Sequence, residues 1–331
     1  MKIGLALLLS AVGCLALMAG GAFAAETAEV VSASLQMTVD ASGGVSRLVT
    51  NGGVELGGAK ATSLFRGEFT RIDDYTVRKW APRLPSAAVA QDRFGYSSWW
   101  AAPGYWRRRN ELKLAEIRRA KRPFDLVLVG DSITQNWEGW VDGASNSNLL
   151  SHIARGRISR AEAHVEPMKN WHLLTNEFAV LNLGTSGDDT RHVIWRLTKG
   201  RQLEGYKARH FAVMVGTNNL SDTPEDVAAA IGEIVRLIRE KHPESTVLLH
   251  PIFPRGARPD DLRRKANEAV NALIRPLADG TRVVWCDFNA RLLGPDGVLS
   301  REMMSDLLHP CECGYAIWRE ELVRHLRGDG R

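Results

Sequence analysis

The chain has 331 residues, 44% of them hydrophobic and 24% charged, an ordinary globular composition with room for one large domain or two smaller ones. Its formal net charge of +5 is a weak bias over that length. The densest basic patch, Arg107, Arg108 and Arg109 with Arg118, Arg119, Lys121 and Arg122, falls on a predicted helix and reads as a solvated face; no reading motif accompanies it, which argues against a nucleic-acid partner.

Residues 1–24 read as a secretory signal. Lys2 supplies the positive end, Ile3 to Met18 is a nearly unbroken apolar run, and Ala22-Phe23-Ala24 supplies small residues for cleavage after Ala24 or Ala25. With its Gly20-Gly21 break the run is short for ~30 Å of hydrocarbon. A lipoprotein anchor at Cys14 is the weaker alternative, because Cys14 falls in the middle of the apolar run. No later segment is apolar enough to span a membrane. The expectation is an exported chain, periplasmic or extracellular, with no stable membrane insertion after cleavage. It would keep Cys286, Cys311 and Cys313, and an oxidising environment would leave one disulfide and one free thiol. Cys311-Glu312-Cys313 has no second pair and falls short of a zinc site, so neither metal nor cofactor is expected.

Residues 25–95 form a β-rich appendage of unassigned role. Val30 to Val39 and Val45 to Val54 alternate loosely and are split by Gly43-Gly44 and Gly52-Gly53, a pattern of short strands and turns. From residue 96 onward the pattern changes. Trp106 to Ala120 predicts a helix that Pro123 ends. Asp125 to Val129, closing at Gly130, predicts a buried parallel strand. The alternation repeats: strand Phe178–Leu183, helix Thr190–Lys199, strand His210–Val215, and a helix over 223–241 with Val227, Ile231, Ile234, Val235 and Ile238 on one face. Strand Thr246–Pro251, helix Pro259–Leu277, strand Arg282–Cys286 and helix Gly314–Leu326 complete the series. Residues 137–177 interrupt it with a longer connection, read as a helix and a surface loop. Such alternation predicts a three-layer α/β/α sandwich around a mostly five-stranded parallel sheet. The ligand site is expected beyond the carboxyl ends of the strands, with Cys286 nearby because it ends the fifth strand.

The loops at those ends carry the chemistry. Gly130-Asp131-Ser132 follows the first strand and offers a hydroxyl nucleophile; its bland reading is a turn or helix cap. Gly184 to Asp188 follows the second, with two glycines freeing the backbone for close approach. Gly216-Thr217-Asn218-Asn219 follows the third, where an Asn could donate into the cleft or simply brace the loop. Asp306-Leu307-Leu308-His309 precedes the last helix, and a carboxylate three residues before a histidine can orient its imidazole.

Together these blocks resemble the SGNH (GDSL-type) hydrolase family, with Ser132, Gly187, Asn218 and the pair Asp306 and His309 in the four motif positions. The platelet-activating-factor acetylhydrolase-like branch is similar at Leu181 to Gly184, Gly187-Asp188, His192 to Leu197, Val215 to Asn219 and Phe253 to Gly256, over roughly residues 105 to 328. The resemblance implies a flavodoxin-like fold and a serine esterase. Ser132 would be nucleophile, His309 base and Asp306 its orienting acid; the amides of Ser132 and Gly187 and the Asn218 side chain would form the oxyanion hole. Asp131 and Arg255 are candidate substrate contacts, Arg255 alternatively a loop brace. Short acyl groups are implied, acetyl first, with a small ester or acetylated carbohydrate as substrate. Trp99, Trp100, Trp106, Trp137 and Trp140 flank the nucleophile and fit a sugar surface, though each taken singly reads as core, as does Trp195. A lysophospholipase and a non-catalytic binding module are the alternatives. Departures from the branch are the length of 137–177, Pro310 to Cys313 after the histidine, and residues 26–95.

Overall fold

The computed structural model describes residues 87–328 apart from 99, 141–151 and 158–165, together with the backbone of six strands between residues 27 and 82. The leader assigned to residues 1–24 lies outside the described residues, as does Trp99. The chain divides into two compact units, Met1–Pro85 and Ser86–Arg331.

In the first unit β1 (Thr27–Ser32), β2 (Leu35–Asp40), β3 (Val45–Thr50) and β4 (Glu55–Gly57) form an antiparallel sheet in sequential order. A separate hairpin pairs β5 (Phe65–Ile72) with β6 (Tyr75–Pro82). The run Val30 to Val39, which alternates like one strand, is instead shared between β1 and β2; Val30 pairs with Met37 and Ser32 with Leu35.

In the second unit β7 (Phe124–Gly130), β8 (Val180–Asn182), β9 (Ala208–Met214), β10 (Thr246–Leu249) and β11 (Val283–Trp285) form a parallel sheet of order β11-β10-β9-β7-β8. Helices α1 (Tyr105–Arg119), α2 (Ser132–Glu138), α3 (Lys169–Thr175), α4 (Thr190–Leu197), α5 (Pro224–Lys241), α6 (Leu262–Ile274) and α7 (Glu312–Arg327) complete the three-layer α/β/α fold.

The strands are buried on both faces, so their side chains divide by parity. Val127 and Val129 of β7, Phe211 and Val213 of β9, and Val247 and Leu249 of β10 face one layer with Val193, Ile234, Ile238 and Val270 of α4, α5 and α6. Leu126, Leu128, Ala212, Met214 and Leu248 face the other layer with Trp137, Leu174, Trp318 and Leu322 of α2, α3 and α7. Helix α5 shows how sequence sets the ends: Thr223 caps it by accepting from the Asp226 amide, Pro224 fits the first turn, and Arg239 and Lys241 sit at the negative end. Helix α6 is shorter than the apolar period implies. It starts after the Asp261 cap and ends at Ile274, because Pro276 lacks the N–H needed to continue and only a 3₁₀ turn follows.

Arg109 departs from the solvated-face reading. It is buried, donating from Nε to the Gly184 carbonyl at 2.7 Å and from Nη2 to Glu138 at 3.2 Å, while Lys113 one turn on binds Glu138 at 2.8 Å. The cysteine expectation is also corrected, since Cys286, Cys311 and Cys313 are all free thiols. Cys286 follows β11, but its sulfur lies 3.2 Å from His325 Nε2. His325 is thirteen residues along α7 from Glu312, about 20 Å at 1.5 Å per residue, so the thiol is remote both from Cys313 and from the His309 block. Burial pushes that thiol up to about 12. Among the described residues no helix is long and apolar enough to cross a membrane.

Candidate active site

The strand order changes direction at β7, with β8 on one side and β9 on the other, and in doubly wound sheets the crevice beyond that point receives ligands. Ser132 emerges there. The chain turns sharply after β7, and a Cβ on Gly130 would fall 2.1 Å from Thr134 Oγ1 and 2.5 Å from the Met214 carbonyl oxygen, so glycine alone fits. Asp131 then caps α2, its Oδ1 accepting from the Ile133 amide at 2.9 Å. Ser132 becomes the first residue of α2, with its hydroxyl aimed outward from the sheet's carboxyl edge.

The Asp306–His309 loop meets it from the opposite side. His309 Nε2 lies 2.8 Å from Ser132 Oγ, and His309 Nδ1 lies 2.6 Å from Asp306 Oδ2. A carboxylate can only accept, so Nδ1 carries the ring proton and Nε2 faces the hydroxyl as acceptor. Asp306 Oδ1 also accepts the amides of Leu308 at 3.0 Å and His309 at 2.7 Å. Burial alone would raise this carboxyl; the hydrogen bonds and positive charge at His309, with the two amides, outweigh it and hold the group well below the usual carboxylate range. The tight return puts Leu307 at φ 61°, left-handed for a non-glycine residue, and its carbonyl accepts from the Gly256 amide at 2.9 Å.

The third wall is the loop after β8. Gly187 has φ 78°, and a Cβ there would sit 2.9 Å from Arg93 Nη2 and 3.3 Å from Trp100 Cζ2. Its neighbour Asp188 is fully buried and fixes the loop. Asp188 Oδ1 accepts from Arg93 Nη1 and from Trp106 Nε1, each at 2.8 Å, and Oδ2 accepts from Arg196 Nε at 2.7 Å. Arg196 also donates to the carbonyls of Leu183 and Gly130, the latter at 3.1 Å, tying the ends of β7 and β8 to one guanidinium. Asn218 Nδ2 donates to the Asp188 carbonyl at 2.9 Å, which fixes the amide beside Gly187. Among the described residues, no backbone or side-chain acceptor takes the amide N–H of Ser132 or of Gly187.

Ser132, His309 and Asp306 thus converge, and Gly187 and Asn218 stand together at the adjoining loop edge. Asp131 is fully buried behind the nucleophile; its Oδ2 has no partner, and burial pushes its carboxyl up to about 6. Arg255 is partly buried and donates from Nη1 to the Thr217 carbonyl at 3.0 Å and hydroxyl at 2.9 Å, holding the loop that carries Asn218. Trp106, Trp137, Trp140 and Trp195 are buried, while Trp100 is half-buried. Cys286, Glu321 and His325 bring ligand-type atoms within 4.8 Å of one another, at the far end of α7, where Glu321 also pairs with Arg324. Sequence reasoning gave no role to Arg93, Asp188 or Arg196, and read Trp106 only as a sugar-facing or core residue, not as a donor to Asp188. The available signal was polar residues inside apolar runs, as with Arg196 between Trp195 and Leu197.

The sequence profile of the GDSL-like lipase/acylhydrolase family matches residues 128–317, more than half of the chain. Platelet-activating factor acetylhydrolase IB subunit alpha1 of Pongo abelii and subunit alpha2 of Homo sapiens are each 40% identical over 147 residues, covering 44% of this chain and 63% of the relative. The chain therefore spans 63% of the length of these curated relatives. Among solved structures, a GDSL-like lipase of Bacteroides thetaiotaomicron has TM-score 0.46 and 16% identity, covering 68% of this chain and 99% of that one. An acetylxylan esterase of Geobacillus stearothermophilus has TM-score 0.42 and 18% identity, covering 62% and 94%.

Proposed function

The chain belongs to the GDSL-like lipase/acylhydrolase family, and so to the carboxylic ester hydrolases; from that premise we propose that it is an exported serine esterase removing short acyl groups, acetyl first, from acetylated carbohydrates. The observation that carries the reading is the relay of Ser132, His309 and Asp306 at 2.8 and 2.6 Å. In this reading Ser132 Oγ attacks the ester carbonyl as His309 Nε2 takes its proton. Asp306 keeps the second ring proton on Nδ1 and stabilises the imidazolium. The tetrahedral oxyanion is received by the amides of Ser132 and Gly187 and by Asn218 Nδ2, each such donor contributing about 3 kcal/mol. The histidine returns its proton to the leaving alcohol, and water, deprotonated by the same nitrogen, cleaves the acyl-enzyme. Arg255 and Arg196 position loops in this scheme, and Asp131 sets the entry angle of α2.

The short-acyl assignment rests on the resemblance at the motif blocks and on relatives whose name is acetylhydrolase. Export rests on the composition of residues 1–24. The test is hydrolysis of p-nitrophenyl acetate, butyrate and octanoate by the protein beside Ser132→Ala. Activity that falls with chain length and drops to background in the variant, a loss on the order of 10⁶-fold for a missing serine nucleophile, is the expected result. Equal rates in the two proteins would remove Ser132 from the chemistry. A protein recovered from cells with Met1 still in place would remove the export reading.

A further inference from the structure

The segment Gln91–Tyr96, ahead of α1, is irregular yet firmly held. Gln91 donates its amide to the Arg191 carbonyl at 3.2 Å, and Thr190 Oγ1 donates to the Ala87 carbonyl at 2.9 Å. Arg93 is buried against the oxyanion loop, donating to Asp188 and, at 3.2 Å, to the Ser186 carbonyl; its guanidinium also lies 3.8 Å from the centre of the Tyr96 ring. Phe94 rests edge-on against Trp195, ring centres 5.0 Å apart. What this anchoring presents outward is nonetheless open: Phe94 is 41% exposed, Gln91 is exposed and Tyr96 half-exposed.

These residues form one wall of an open pocket of about 480 Å³ whose other wall includes His192 and two of the oxyanion candidates, Gly187 and Asn218. That volume is far beyond what an acetyl group occupies. The lining is mixed. Phe94 and Tyr96 contribute aromatic rings, one face of Tyr96 being covered by Arg93, while Gln91, Asp92 and His192 contribute polar side chains. His192 has its Nδ1 engaged with Asp189, whose amide donates to it at 3.1 Å. An acyl chain would ask for a continuous apolar lining; rings interleaved with donors and acceptors fit a ligand with apolar C–H faces and a rim of hydroxyls.

We propose that Gln91–Tyr96, together with His192, forms a subsite for the saccharide half of the substrate, so that selectivity for the alcohol resides largely in the Gln91–Tyr96 segment, ahead of the motif blocks. This rests on the esterase reading above. The test compares kcat and KM of the full chain, Tyr96→Ala and Gln91→Ala on p-nitrophenyl acetate and on monoacetylated methyl glucoside and xyloside, with thermal melts of each. The expected result is a KM for the acetylated glycosides raised about tenfold in Gln91→Ala, whose backbone amide still holds the segment to Arg191, with kcat changed less than twofold, and a loss on p-nitrophenyl acetate several times smaller than on the glycosides; Tyr96→Ala, which also removes a contact of Arg93, should add to the loss on the glycosides. Titration of methyl glucoside into Ser132→Ala, followed by ligand-observed magnetic resonance, should show binding that Tyr96→Ala weakens. Losses of equal factor on both substrate types, or none, would overturn the subsite while leaving the esterase standing. A wild-type protein that cleaves p-nitrophenyl acetate but no glycoside would do the same. Failure of the wild-type protein on every ester would instead overturn the esterase reading.

Discussion

Gly187→Ala separates the oxyanion role proposed for this loop from its structural role. At φ 78° an alanine costs roughly 1–2 kcal/mol in backbone strain. The new methyl also falls 2.9 and 3.2 Å from the two terminal nitrogens of Arg93 and 3.3 Å from Trp100. Arg93 has little freedom to retreat, since Asp188, Ser186 and the Tyr96 ring hold it. The backbone at 187 is therefore the part that shifts, and its N–H leaves the position a developing oxyanion would occupy. Loss of one such donor corresponds to about 3 kcal/mol, or on the order of 100-fold in kcat with KM little changed, because the contact exists only in the transition state. The matched control is Gly280→Ala: φ is 76° there, but nothing lies within 4 Å of the added Cβ. It should show a similar backbone cost and full activity. Steady-state kinetics on p-nitrophenyl acetate with urea denaturation of both variants decides the matter. A Gly187→Ala protein with kcat within threefold of wild type refutes the argument that this amide contributes to turnover.

Two further outcomes follow from the carboxylates. Asp306→Asn preserves the shape but lets the amide donate to Nδ1, turning the imidazole to the wrong tautomer; kcat should fall on the order of 10⁴-fold, and a loss below tenfold would show that Asp306 does not set the tautomer. For Asp131, burial raises the pKa from 3.8 to about 6. Below about pH 3 the acid is protonated in both the folded and unfolded chain and its burial is at its least costly. As pH climbs to 6 the unfolded chain ionises first, so stability is lost by about 3 kcal/mol for a pKa difference of about 2. Asp131→Asn keeps an oxygen for the Ile133 amide and removes the titration. The difference in urea-denaturation free energy between wild type and variant should therefore shift in favour of the variant by about that amount from about pH 3 to about pH 8; an unchanged difference would show that Asp131 does not titrate in this range.

The sandwich was legible because β7, β9 and β10 are short apolar runs bounded by glycine or a polar break, and because the helices between them keep a 3.6-residue period, as at Val227, Ile231, Ile234 and Ile238. Ser132 and His309 were legible because their local blocks are contiguous in sequence, even though 177 positions separate them. The supports were not. Arg93 and Asp188 are 95 positions apart, and nothing local in the first marks it as the partner of the second. Arg109 sits in a run of three arginines that composition reads as solvated, while the helical turn rotates it and Lys113 inward. Hairpin β1–β2 was hidden because Leu35 and Gln36 continue the alternation of the run before them, and no glycine or proline marks the reversal. The reach of α7 away from His309 was equally invisible, which is why Cys286 looked closer to the chemistry than it is.

The carboxylate of Asp188 has a consequence for how this chain can be cut. It is the shared counter-ion of Arg93 and Arg196, and both cations are buried with it. A fragment that begins at α1 retains every motif residue, yet loses Arg93 and with it one of the contacts that fix the loop at Gly187. A break of this kind in a buried ion network typically costs about 3–5 kcal/mol. The smallest self-sufficient piece that keeps this loop in place therefore starts upstream of α1. Anyone grafting this sheet behind a different leading domain has to carry residues 87–101 along with it.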